Sequence, residues 1–268
     1  MVLDLKIRVL FCYSPEVLQS TYRNFRQLAT DNSNLCSITT GIFGQNLNRG
    51  VYKVNVFHVA SVEIAKLQKQ YGIPKSCLTL AQVDRLTNGL ATNATMYGNL
   101  RQQLLLLKNY YRATIVVLQV KLCRQVPNGA RIIGVSGKVG ITNSSEAFVA
   151  IARSPVVANK TTTATFCWVL AHEFGHLMGC RHPYGVTRSG FDNAATGNNH
   201  GHCFINSTTN KIECGTLMSY AEHPVMYYSN PNLFAYPHPH ENDACGEVGK
   251  SETYLTVNAN IQKLAGIF

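Results

Sequence analysis

Apolar and polar positions follow two periods along the chain. Residues 5–13 form an apolar-rich run that reads as a buried first strand. After Pro15, the apolar residues Val17, Leu18, Tyr22, Phe25 and Leu28 recur near helical spacing, and proline suits a first helical turn. Residues 31–50 are rich in Asn, Gly, Ser and Thr and read as a loop. Residues 51–62 alternate as a second strand, with Val54, Val56 and His58 on one face. Helices are expected at 80–90 and 96–111, the second with Leu100, Leu104, Leu107 and Tyr111 along one stripe. Residues 114–122 are the most strand-like run, rich in β-branched side chains. A shorter strand at 130–139 is interrupted by Gly134 and Gly137. Residues 146–154 read as a strand ended by Pro155, which suits a sheet edge because proline cannot donate to a ladder. A helix is expected over 161–178 and another over 251–265. Between them, from Gly179 to His240, periodicity disappears among Gly, Asn, Pro and His. Strands alternating with helices over the first two-thirds predict an α/β sheet. Disulfides or a metal are the devices left to hold the irregular last third.

Composition narrows the class. Of 268 residues 46% are hydrophobic and 14% charged, the reverse of a disordered chain. No apolar run approaches the roughly 18 residues of a membrane span. The net charge of +10 is scattered, and no aromatic-basic repeat marks a nucleic-acid binder. A monomer that binds no nucleic acid is the expectation. Asp4, Lys6 and Arg8 interrupt the N-terminal run, so it is no secretory leader. Nine dispersed cysteines, none in a C-x-x-C pair, read as disulfides of an oxidising compartment. The chain is therefore expected to be the mature form of a secreted protein, its signal and pro-segment not included. Cys203 and Cys214 bracket a short Asn/Thr-rich stretch and are expected to pair.

The chemistry gathers in Ala171-His172-Glu173-Phe174-Gly175-His176-Leu177-Met178-Gly179-Cys180-Arg181-His182. On a helix, His172 and His176 project from one face a turn apart, so both imidazoles can reach one Zn²⁺. Glu173 is one step round, placed to reach a water at the metal without ligating it. Gly179 can take positive φ and end the helix. The chain can then turn back to bring His182 as a third ligand. Three protein ligands and an open position are the pattern of a catalytic zinc. Other histidines read more plainly. His200, His202, His238 and His240 lie in Asn/Gly- or Pro-rich stretches and read as surface-loop residues. His58 and His223 read as ordinary partners of backbone or water, and Trp168 as packing.

Downstream, Met218 lies in Cys214-Gly215-Thr216-Leu217-Met218-Ser219-Tyr220. A methionine turn after the extended zinc motif resembles the metzincin zinc endopeptidases. Tyr228-Ser229-Asn230-Pro231-Asn232 and Thr256-Val257-Asn258-Ala259-Asn260-Ile261 resemble the tails of secreted microbial reprolysin-like (adamalysin-type) peptidases. Pro183 after the third histidine and the Met-Ser-Tyr turn are more similar to serralysins, whose calcium repeats are absent.

The resemblance implies one catalytic domain over 1–268. Its N-terminal subdomain, about 1–178, would carry a twisted, mostly parallel sheet. An irregular C-terminal subdomain, about 179–268, would face it across a zinc cleft. Met218 would form an apolar floor under the imidazoles. Tyr220 would act as a fifth ligand and oxyanion donor, as in astacins and serralysins. Residues 223–227 would line the specificity pocket. Residues 146–154 would be the antiparallel edge strand on which a protein or peptide substrate pairs as an extended strand. A zinc-folded adhesion or toxin-like binding module is the alternative, one that has no need of Glu173.

Overall fold

The computed structural model describes residues 2–22, 24–47, 50–64, 77–123, 132–153, 168–183, 197–206, 211–219, 225–234 and 243–267. Period-2 patterning splits the core into two layers. In β1 (Leu3–Tyr13), Leu5, Ile7, Val9 and Phe11 enter one layer, while Leu10 and Cys12 enter the other. β3 (Ile115–Lys121) divides in the same way, Ile115 and Val117 against Val116, Leu118 and Val120. With β2 (Tyr52–Glu63), β4 (Ile132–Ser136) and β5 (Phe148–Arg153) they make a five-stranded sheet of order β2-β1-β3-β5-β4. Pairing is parallel except between β4 and β5. This is the expected mixed α/β sheet.

Three helices bury side chains in the first layer. They are α2 (Phe25–Asn46), the helix of the histidine motif, Val169–Met178, and the last helix, Thr253–Leu264. Two further helices, α3 (Leu80–Ala91) and α4 (Gly98–Tyr110), cover the second layer. Short α1 (Pro15–Thr21) follows β1, and the motif and last helices are α5 and α6. In place of regularity lost after Gly179, two small antiparallel ladders occur. One joins β6 (Cys203–Asn206) to β7 (Lys211–Gly215), and the other β8 (Asn230–Phe234) to β9 (Ala244–Cys245). Cys77 and Cys123 form a disulfide where the chain enters α3 and leaves β3. No described helix is long and apolar enough to cross a membrane.

Four expectations are corrected. First, residues 31–46 are helix, not loop. Leu28, Asn32, Cys36, Thr39 and Phe43 repeat every three or four residues and are buried. The Asn24 side chain caps the helix start by accepting from Gln27 N–H at 3.0 Å. The polar residues find partners: Asn32 and the buried Gln119 amide hydrogen-bond at 2.7 Å, and Thr39 donates to Leu35 O. Second, residues 146–154 do not form the antiparallel edge. β5 lies inside the sheet, and among the described residues the antiparallel edge strand is β4, with β2 at the opposite edge. Pro155 lies outside the described residues.

Third, Cys203 and Cys214 are not bonded. Cys203 lies opposite Gly215 and Cys214 opposite Phe204, successive positions whose side chains leave opposite faces of the ladder. Fourth, His200 is fully buried, because the stretch around it runs beside Arg181. His202 is largely covered too, its ring edge-on to Phe204. His223, His238 and His240 lie outside the described residues.

Candidate metal centre

α5 is buried from Val169 to Met178, one face on the sheet and the other on the following chain. Gly179 ends it at φ +105°, with Gly179 N–H donating to His176 O and Cys180 N–H to Gly175 O. The reversed chain runs to Arg181, bonded to Asn199 and Gly201, and delivers His182 back to the helix.

His172, His176 and His182 come together, their ligand atoms all within 4.8 Å of one another. The Nε2 atoms of His172 and His182 are 3.2 Å apart, and those of His176 and His182 3.0 Å apart. Nitrogens sharing a tetrahedral zinc at 2.0–2.1 Å stand roughly 3.3 Å apart. The set therefore fits that ion in spacing and donor chemistry. Two tautomers are fixed as well. His172 Nδ1 lies 2.7 Å from Leu217 O, and His176 Nδ1 lies 2.8 Å from Cys180 O. A carbonyl only accepts, so each Nδ1 carries the proton and each Nε2 keeps its lone pair. Burial, with the neighbouring imidazoles, holds the His176 pKa well below the usual histidine range. His200 Nδ1–H donates to His182 O at 2.8 Å and steadies the third histidine from behind.

Glu173 is buried, and burial pushes its carboxyl up to about 8 against a hydrogen bond from the Ser136 backbone. Its Oε2 has no hydrogen-bond partner among the described residues. An unpaired oxygen on a buried carboxylate is costly, and such groups concentrate where chemistry is done.

Met218 is fully buried beneath α5. A turn closed by Ser219 N–H to Thr216 O at 2.8 Å holds it, and Leu217 N–H to Tyr227 O at 2.7 Å ties that turn to the chain beyond. Gly175 has no side chain on the facing helix surface; a Cβ there would lie 2.4 Å from Met218 Sδ. Trp168 stands edge-on to His172, ring centres 5.8 Å apart, in keeping with packing. Tyr220 and the first part of the expected specificity pocket lie outside the described residues.

Sequence reasoning missed several supports. Tyr228, fully buried, donates from its hydroxyl to Ala171 O at 2.7 Å. Asn46, at the end of α2, donates to Met226 O and accepts from Tyr228 N–H, fastening residues 226–228. Ser136 and Gly134 of β4 border Glu173. Gly134 left a trace in the sequence, as a glycine inside a strand, which marks close approach of another group, and Tyr228 opens a stretch quoted for the resemblance.

No curated protein matches the sequence. A solved structure described as "Structure of a chaperone-substrate complex" is 19% identical, with a TM-score of 0.55. The match covers 98% of this chain, which spans only 35% of that one. At that identity the likeness is one of fold alone. The model of metallo-peptidase family M12 (Reprolysin_5) matches residues 57–234. That span is more than half of the chain and contains all three histidines and Glu173, and the chain belongs to the M12 metallopeptidase family.

Proposed function

We propose that this protein is a zinc-dependent endopeptidase that hydrolyses internal bonds of extended protein substrates. The observation that supports this most is the convergence of three Nε2 atoms beside a buried carboxylate whose Oε2 has no partner. His172, His176 and His182 would hold one zinc ion, and Met218 would form the floor beneath them. Bound there, zinc would supply a Lewis acid that acidifies water and polarises the scissile carbonyl.

The proton work falls to Glu173. Its Oε2 takes a proton from the attacking water and returns it to the nitrogen of the leaving amine. A buried carboxylate with raised proton affinity is suited to both transfers near neutral pH. The substrate would lie along β4, its backbone pairing with the N–H and C=O groups of the outer strand. Tyr220, from the Met-turn, would donate a hydrogen bond to the developing oxyanion.

The same reading makes residues 1–178 and 179–268 the two subdomains of one catalytic domain. It takes the subfamily as reprolysin-like of secreted microbial type, with Pro183 and Met218-Ser219-Tyr220 as serralysin-like features. The Cys77–Cys123 disulfide supports an extracellular setting.

Glu173→Gln tests the assignment. Zinc binding and melting should persist while peptide cleavage falls about 10²–10⁴-fold, the usual share of acid–base catalysis. Near-normal turnover in the zinc-loaded variant refutes it. A wild-type chain that binds zinc but cuts no peptide in a library digest supports the binding-module alternative instead.

A further inference from the structure

β4 meets Glu173 at two points. A Cβ at Gly134 would lie 2.2 Å from Glu173 Oε1 and 2.6 Å from both its Cδ and Cγ. No side chain tolerates such an approach, so the carboxylate occupies the space that glycine leaves open. The strand cannot simply retreat, because Gly134 is paired with Ile151 in the antiparallel ladder. Two residues on, the Ser136 backbone N–H hydrogen-bonds the same carboxylate. Residues two apart on a strand face the same way, so Gly134 and Ser136 form one seat: a notch and, beside it, a donor.

We infer that Gly134 is a positioning residue for Glu173. Its missing side chain lets the strand fix Oε1 and leaves Oε2 to move the proton. The inference rests on the proposed role of Glu173 as proton carrier. Gly134 itself touches neither metal nor reacting atoms in that scheme. An alanine would displace the carboxylate by about the width of the overlap, and a misplacement of about 1 Å can cost on the order of 10²-fold in rate.

The test is Gly134→Ala alone and combined with Glu173→Ala, read by steady-state kinetics on one peptide, zinc per chain and thermal melting. The single variant should lose about 100-fold in kcat while KM and zinc content stay at wild-type values. In the Glu173→Ala background the colliding carboxylate is gone, so adding Gly134→Ala should leave Tm where Glu173→Ala alone puts it. This second arm reads the contact even if the single variant does not fold.

Wild-type kcat in Gly134→Ala, alongside an inactive Glu173→Gln, overturns the positioning role and leaves the peptidase reading intact. Loss of zinc or of Tm that is equal in both backgrounds also overturns it, because the glycine would then serve the fold and not Glu173. Wild-type turnover in Glu173→Gln removes the underlying reading, and the inference with it.

Discussion

Gly175→Ala is informative because its sign is diagnostic. Inside an ordinary helix, glycine to alanine stabilises by roughly 0.5–1 kcal/mol. Here the new Cβ would sit 2.4 Å from Met218 Sδ and 3.0 Å from Tyr228 Cε1. Neither neighbour is free to yield. The Met218 turn is tied by Ser219 and Leu217 N–H bonds of 2.8 and 2.7 Å. Tyr228 is tied by its hydroxyl to Ala171 O at 2.7 Å, with its ring stacked on Phe43. Overpacking of this kind costs about 1–3 kcal/mol, which outweighs the helical gain. At about 2–4 °C per kcal/mol for a chain of this size, Tm should fall by several degrees. The effect should reach the metal as well. Leu217 O receives the proton of His172 Nδ1, so a shifted turn loosens the first histidine. Loss of such support lowers metal affinity about 10–100-fold. Differential scanning calorimetry and competition against a chromophoric chelator measure the two effects. A raised Tm with unchanged zinc affinity would show that Met218 and Tyr228 are not locked under α5, and would refute the reasoning.

Two further predictions concern other residues. Lys108 is buried on α4 and donates to Ser144 O, and burial pushes its ammonium down to about 8 from 10.5. At this group the folded state therefore binds fewer protons than the unfolded state between those pH values, so its contribution to stability should rise with pH across that window. Lys108→Met should abolish the rise and gain on the order of 2–3 kcal/mol at pH 7, the ionisation cost less a hydrogen bond. Urea unfolding at pH 7 and pH 10.5 checks this, and parallel pH trends in the two proteins would contradict it. Tyr220→Phe removes a single oxygen. If the phenol stabilises the oxyanion, kcat should fall by about 10²-fold with KM little changed. Wild-type kcat would leave Tyr220 as packing.

The zinc helix was readable because its chemistry is local. On a helix, four residues in sequence is one turn in space, so His172, His176 and Gly179 declare their geometry in the spacing alone. The apolar run of β1 and the β-branched run of β3 were readable for a similar reason. α2 was not, because Asn32 and Thr39 look like loop residues until Gln119 and a backbone carbonyl supply their partners. The outer strand was misplaced because Gly134 and Gly137 weaken the run that forms it, while Pro155 ends the stronger run inside the sheet. The glycine that disguised the strand is the one that admits Glu173. Asn46 and Tyr228 are far apart in the chain, and no periodicity could connect them.

β4 also bears on tolerance to motion. Three parts must stay aligned in such an enzyme: a metal, a proton carrier and a peptide bond. If the peptide is laid along the same few residues that seat Glu173, the carrier and its target are measured from one datum. A rigid drift of the strand then carries both together, and their separation does not accumulate the error. Only α5, which bears two of the three histidines, has to be registered to that datum, and its contact with the strand at Glu173 does so. Accuracy at the reacting atoms would thus survive a protein that flexes, provided the outer strand and α5 flex as one.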